Sequence, residues 1–507
     1  MERDNAGVVV SKGEQPPPRV RRKEINRQQL LLRPVEVEKL VDLDHPVRAI
    51  WELVGRLNLE PFYAVIESVE GVAGRPVWDP QLLISLWIYA YKEGVSSARE
   101  IGRLCEYHPA YQWLTGLEVV NYHTLADFRI RHQEALDQVF IEVLGVLSHE
   151  GLITLERVMH DGTKVKACAS DKSFHRKTTL EEHLQLAREQ VEQMGDPGSE
   201  ELSQRVAKAR QRALKERQER LEEALKAMEQ MEASRSKEDK EKTRASSTDP
   251  DARVMLQAKG AYGPSYNVQI STDAKAKIIV GVGVTQAPTD AAELEPAVER
   301  IEANLGEKPE QMVVDGGLTN QAAMEAMTEK QVDLIGALPE RRAVAPNRLE
   351  QRGVSLEFYP QAFTYDVSTD SYRCPAGKVL KFEGKQQQSA SLHRRYRAKV
   401  RDCKGCAFQV QCCPGTKKGR SLVRSEATPE MVAFQAKMET PEAQAIYKQR
   451  AGVAEFPHAW LKDKMGLRQF RLRGLAKVTL EAMWACLTYN ICQWIRLCWE
   501  PQRLPQV

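Results

Sequence analysis

The tightest restriction on this chain's fold is a strand–helix alternation that is broken twice by segments of another character. Leu155–Asp161 is an apolar run of strand length that stops at Asp161-Gly162. After a gap come two further strand-like runs, Asn267–Thr272 and Lys277–Val284, joined by a turn at Asp273–Ala276. Asp290–Leu305 reads as a helix, Gln311–Val314 as a short buried strand ending at Asp315-Gly316-Gly317, Asn320–Lys330 as a helix and Val332–Ala337 as a strand. With the two interruptions removed, and the helices from Pro429 to Leu497 added, the order is β-β-β-α-β-α-β-α. That order is ribonuclease-H-like. The expected fold is therefore α/β: a mixed-sheet core of that kind, with an N-terminal helical domain, a helical-hairpin insertion and a Cys-rich basic insertion.

The interruptions differ in kind. Residues 179–245 are intensely charged, and Leu214, Leu221, Leu225 and Met228 recur at helical spacing, as in a two-helix hairpin broken at Gly195-Asp196-Pro197-Gly198. A solvated structural arm accounts for most of these charges. The second segment holds Cys374, Cys403, Cys406, Cys412 and Cys413, together with ten Lys/Arg against one acid between Arg394 and Arg424. Cys403-x-x-Cys406 has the spacing of a zinc knuckle, and Cys374 with Cys412 or Cys413 completes a four-sulfur set. Structural zinc and reduced free thiols are both compatible with it. The basic excess is compatible with a phosphate-binding surface and equally with a solvated face.

The whole chain has 73 Lys+Arg against 70 Asp+Glu, so a polyanion partner has to be argued from such local patches. Hydrophobic residues make up 42% and charged ones 28%, which excludes a fibrous or wholly disordered chain. Met1-Glu2-Arg3-Asp4 has no apolar leader, and the apolar tract Leu480–Trp499 contains Glu481, Asn490, Gln493 and Arg496. A cytoplasmic protein with no membrane partner is expected. The expected division is a basic disordered arm (1–40), an N-terminal helical DNA-binding domain (41–150), a first core part (151–178), the charged hairpin (179–248), a second core part (249–340), the Cys-rich insertion (341–428) and C-terminal catalytic helices (429–498). In 41–150, short polar caps precede short amphipathic helices, which fits either a helix-turn-helix or a plain bundle.

Asp161 and Asp315 each follow an apolar strand and precede Gly, the sheet edge at which α/β proteins bind ligands. Either Asp-Gly alone is a common turn. Two of them, on strands that lie side by side in this order, would converge and call for a divalent cation with a taste for hard oxygen ligands.

The C-terminal tract sharpens this. Tyr447-Lys-Gln-Arg450-Ala-Gly-Val-Ala-Glu455-Phe-Pro-His-Ala-Trp-Leu-Lys462 resembles the Tyr…Arg…Glu…Lys signature of bacterial insertion-sequence transposases with an Asp-Asp-Glu site, and is similar to insertion-sequence group eleven-eighty-two. Two residues separate Tyr447 from Arg450 and six separate Glu455 from Lys462, as in that signature; four stand between Arg450 and Glu455 where three are usual. Trp78–Arg129, His160–Thr163, Asp249–Arg253, Tyr266–Gln269, Asp290 and Gly466–Gly474 resemble other stretches of the same family.

The resemblance implies a DNA transposase. Asp161, Asp315 and Glu455 would form the triad that holds Mg²⁺ or Mn²⁺, with Tyr447, Arg450, Lys462, Arg468, Arg471 and Arg473 on DNA. It implies double-stranded DNA partners (terminal inverted repeats and target), a homodimer on paired ends, and a bacterial protein at the nucleoid when bound to DNA. A domesticated nuclease of the same fold and a non-mobile DNA-binding scaffold are the rival readings.

Overall fold

The computed structural model describes residues 28, 34–68, 76–193, 201–233, 240–257, 260–337, 349–388, 391–425 and 428–500. Most of the expected arm at 1–40 and the Gly195–Gly198 break lie outside them. In chain order the strands are β1 Val158–Lys166, β2 Phe174–His175, β3 Ala245–Ser246, β4 Arg253–Leu256, β5 Tyr262–Asp273, β6 Ile279–Thr285, β7 Gln311–Val314, β8 Asp333–Gly336, β9 Thr364–Asp366, β10 Ser371–Arg373, β11 Val379–Gln388, β12 Ser391–Ala398 and β13 Ser421–Ser425.

β1 organises the main sheet. On one side it pairs antiparallel with β5, from Val158 opposite Asp273 to Lys166 opposite Ser265. On the other it runs parallel to β7, from Val158 beside Met312 to His160 beside Val314. β8 continues the parallel side, and β5 also pairs antiparallel with β6 and β4. Taken across the sheet, the five main strands appear in the order third, second, first, fourth, fifth. β7 is hydrophobic throughout its buried stretch (Met312, Val313, Val314) because a parallel strand is covered on both faces.

One expectation is corrected here. The strand does not end at Asp161-Gly162: β1 runs on to Lys166, because β5 offers a backbone partner at every residue past that point. The pleat therefore sends Asp161 and Thr163 to one face and His160, Gly162 and Lys164 to the other.

Before the sheet, helices over Pro46–Val54, Pro80–Lys92, Ala98–Tyr107, Tyr122–Arg131 and Gln133–His149 form the N-terminal layer. Their starts are written locally: Pro80 and Pro46 take first-turn positions, and the Asp79, Ser97 and Asn121 side chains accept N–H groups left unbonded at helix starts. Pro80–Lys92 is buried almost all round, with Leu82 to Tyr91 all inside.

The helix Leu475–Trp494 joins this layer to the sheet. Its Asn490 side chain accepts the Ile279 N–H (2.9 Å) and donates to the Ile279 carbonyl (2.8 Å) on β6. Its Trp484 indole donates to the Arg129 carbonyl in the N-terminal layer (3.2 Å). Its first turn is anchored by two acids from before β4: Asp249 accepts from Gly474 N–H and the Tyr266 hydroxyl, and Asp251 from Leu475 N–H. Carboxylates at a helix start satisfy donors and oppose the positive end of the helix dipole.

The charged segment forms helices Lys177–Glu192 and Glu201–Ala233, packed through Leu180, Leu184 and Ala187 against Leu221, Ala224 and Met228. Its two ends meet in the short β2–β3 pair. Residues 364–425 contain a five-stranded antiparallel sheet in the order β13-β12-β11-β10-β9 around Phe363, Leu380, Tyr396 and Leu422. Three of the ten cations between Arg394 and Arg424 are paired internally, Arg394 with Asp370, Arg397 with Glu383 and Arg401 with Asp402, and Arg420 is buried. A uniformly free phosphate-binding face is not what these residues build. Among the described residues no helix is long and apolar enough to cross a membrane.

Candidate active site

Asp161 and Asp315 are neighbours across two parallel strands. The register places His160 beside Val314 as the last pair of the two strands, so the next residue on each is one of the two acids, and the Asp315 charge is felt at Asp161. Asp315 leaves β7 into a tight turn, where its Oδ1 accepts the Gly317 N–H (2.9 Å). Asp161 Oδ1 accepts the Gly162 N–H (2.9 Å), which leaves Oδ2 directed toward other groups.

Those groups come from the helix Arg450–Asp463, which lies over β1 and β5. Arg450 Nη1 stands 3.6 Å from Asp161 Oδ2, and His458 Nε2 stands 4.0 Å from the same oxygen. The Lys462 ammonium donates to the Thr163 hydroxyl, two residues along the same face of β1. Buried Ala454, between the Arg450 and His458 turns, keeps the helix close to the strand. Pro457 has no N–H for the Val453 carbonyl, so one helical hydrogen bond is missing beside the site.

Burial pushes the Asp161 carboxyl up to about 6; Arg450 pulls against that, and the Asp315 charge adds to it. His458 is driven the other way, down to about 3, by burial and by the charge of Lys462. It is therefore neutral near pH 7. Neither of its ring nitrogens makes a well-formed hydrogen bond, although the Asp161 backbone gives it a weak polar contact. Arg450 Nη1 is likewise buried without a hydrogen-bond partner. Burial also lowers the Lys462 ammonium, with Arg468 adding to the effect.

Glu455 is exposed on the same helix. It precedes His458 by three residues and Lys462 by seven, so helical periodicity puts it on their side of the helix. Tyr447 is not on this helix. It belongs to Pro441–Lys448, separated by Gln449, and packs partly buried against the core. Tyr447 and Arg450 thus lie on two successive helices. Arg468 is exposed and paired with Asp463. Arg471 Nε donates to the Ser96 hydroxyl and Arg473 Nε to the Cys168 carbonyl, so both exposed arginines are tethered at one nitrogen.

The opposite face of β1 holds a second polar cluster that the sequence reading did not assemble. Asp290 Oδ1 accepts from the Asn267 and Gln269 amides (2.6 Å each), with the Lys164 ammonium at 3.4 Å. These bonds and the Lys164 charge outweigh burial and lower the Asp290 carboxyl. Gly162 is needed here, since a Cβ would collide with Asp290 Oδ1. His160 bonds Ser271 and Gln269 and is held down at about 4 by burial and by Arg300. The two-residue alternation of β1 was the signal that separates the two clusters. The helix expected from Asp290 begins at Leu294, because Asp290 is engaged in this cluster instead.

Among the described residues no three His, Cys, Asp or Glu side chains stand close enough, as they are, to hold a metal ion. The donor set around Asp161 and Asp315 nevertheless fits one. It offers two adjacent carboxylates, one carrying an ionisation cost that a cation would remove, beside a buried neutral imidazole without a proper partner.

Residues 373–495 match the family described as "Transposase DDE domain", and residues 35–131 match "Transposase domain (DUF772)". The first stretch contains Cys374 and Glu455; Asp161 and Asp315 lie outside both. Together the matches support an insertion-sequence-type DNA transposase with a DDE domain. A comparison with curated proteins finds no match. Among solved structures, the chain is similar to a piggyBac transposase synaptic complex with hairpin DNA at 9% identity, over 92% of this chain and 83% of that one, with a TM-score of 0.25. At that score the likeness fixes neither fold nor residue.

Proposed function

We propose that this chain cleaves DNA at the ends of an insertion sequence and joins it to target DNA by phosphoryl transfer, on a ribonuclease-H-like core. The observation that supports this most directly is that Asp161 and Asp315 each directly follow the last paired residues of β1 and β7, His160 and Val314, under a helix that brings Arg450, His458 and Lys462 to the same edge. Asp161, Asp315 and Glu455 would hold the divalent ions, Mg²⁺ or Mn²⁺. When bound, such ions activate a water or 3′-hydroxyl and offset charge on the leaving oxygen.

The protein's own groups have separable tasks. Arg450 offsets the Asp161 charge from inside, so the carboxylate can ionise in a buried position. Lys462 holds the helix against Thr163 and keeps a positive charge at the mouth. The free nitrogens of Arg468, Arg471 and Arg473 offer forked donors to backbone phosphates along the stretch leading away from the site. Tyr447, with Arg450 and Lys462, would contact phosphates of the element's end. The N-terminal helices would bind the terminal inverted repeats, with two chains on paired ends. The signature spacing and the sequence group named above support the same reading.

Cleavage of a DNA fragment carrying the gene's own flanking repeats tests it, with Mg²⁺ or Mn²⁺ and with wild type and Asp315→Ala side by side. Metal-dependent cuts at the repeat boundary, absent in the variant, are expected. Binding without cutting by the wild type would favour the scaffold, and cutting with no regard to the repeats would favour a domesticated nuclease.

A further inference from the structure

The sheet β9–β13 has a small core, and domains with so little buried apolar surface usually need a covalent or metal staple. Its five cysteines come from three separate places: Cys374 after β10, Cys403 and Cys406 after β12, and Cys412-Cys413 ahead of β13. All five line one void of about 20 Å³, together with the Arg420 side chain. That is room for a single water-sized body.

Two backbone amides already point at sulfur. The Lys378 N–H donates to Cys374 Sγ (3.2 Å) and the Arg420 N–H to Cys403 Sγ (3.4 Å). Both come from tight turns that glycine makes possible, Gly377 at φ 74° and Gly419 at φ 79°. Donors aimed at a sulfur favour its thiolate over its thiol.

Arg420 is the independent observation. It is 8% exposed, donates to the Cys412 and Phe358 carbonyls, and leaves Nε without a hydrogen-bond partner. No carboxylate lies within ion-pair distance of it among the described residues. A buried guanidinium without a counter-charge is costly. The negative charge that it lacks is what a cluster of thiolates around a dication would supply, since four thiolates and one Zn²⁺ leave a net charge of −2.

We propose that Cys374, Cys403, Cys406 and Cys412 bind one Zn²⁺ ion, with Arg420 as its buried counter-charge. The sulfurs line the void without yet converging, so binding draws them together by side-chain rotation. Cys413, buried where the other four are only partly so, stays in the surrounding layer. Zinc suits four soft sulfur ligands in a closed structural site. The site is independent of whether the protein cuts DNA.

The test is metal content of the full chain, purified without chelator under reducing conditions and measured by mass spectrometry. One zinc per chain is expected, lost in Cys374→Ser and Cys403→Ser and kept in Cys413→Ser. Arg420→Met should retain the fold and surrender zinc to a competing chelator at about tenfold lower chelator concentration. Should a serine variant fail to fold, Co²⁺ exchanged into the wild type gives the same answer through thiolate-to-cobalt charge-transfer absorption. Wild-type protein with no zinc and no such absorption overturns the proposal, as does bound iron in place of zinc. Zinc kept in Cys406→Ser and lost in Cys413→Ser overturns the ligand set.

Discussion

Replacing Asp161 with Asn should make the metal-free protein more stable while removing its proposed activity, and the pH dependence of that gain is calculable. The ordinary carboxyl value is 3.8, and burial raises it to about 6 in the fold. The protonated form is thus the one that folding favours. Stability from this group is fully present below about pH 4, falls as pH rises, and is lost once pH exceeds about 6. Two pKa units at 1.36 kcal/mol each give a cost of about 3 kcal/mol for the ionised side chain. The Asp161 side chain is only 20% exposed, so solvent screening takes little from this figure. Asn imitates the neutral acid and carries no such cost. Thermal melts in chelator should therefore show Asp161→Asn melting higher than wild type by several degrees at about pH 8 and by about half as much at about pH 5. Excess Mn²⁺ should then raise the wild-type midpoint and leave the Asn variant nearly unchanged. A gain that is equal at both pH values, or absent at about pH 8, would refute the reasoning.

Three other outcomes follow from the same neighbourhood. His458→Phe should raise the urea midpoint, by about 1 kcal/mol of stability, because two buried ring nitrogens without well-formed hydrogen bonds are removed; a fall would mean that the imidazole has a partner in solution, such as a bound ion. Gly162→Ala should cost about 1–3 kcal/mol in the same assay, since the new methyl displaces Asp290 from its Asn267 and Gln269 partners. Asp315→Ala should bind repeat DNA as tightly as wild type in a gel-shift titration yet leave it uncut, and cutting that persists would show that another carboxylate is responsible.

The strand and helix sequence of the sheet was readable because burial imposes periodicity. Gln311–Val314 is a strand with the bounds that its apolar run suggests, and Asn320 caps the helix it was expected to open. Reading Asp161-Gly162 as a strand end failed for a physical reason. Turn propensity is local, whereas the hydrogen bonds that β5 offers to residues 162–166 come from a hundred positions away. The inward direction of Arg450 was not legible either. A helix surface has the same period whichever side meets the sheet, and only packing against β1 decides that Arg450 and His458 reach Asp161 from it. The cysteine spacing could be read as a ligand set, but Arg420 could not. In sequence it is one of ten cations, and only burial distinguishes it.

The helix Leu475–Trp494 touches the N-terminal layer through Trp484 and the main sheet through Asn490, and all three belong to one continuous hydrophobic core. Among the described residues, no hinge of loosely packed residues separates the proposed gripping helices from the two acids. On the proposed function, the core then works as a measuring rod: DNA held by the N-terminal layer meets Asp161 and Asp315 at a set offset, so the cut falls a constant number of base pairs from the held sequence. Changes of reach have to come from elsewhere, and the charged arm, joined to the core through the two-residue β2–β3 ladder, can lengthen or shorten at its tip without altering that offset.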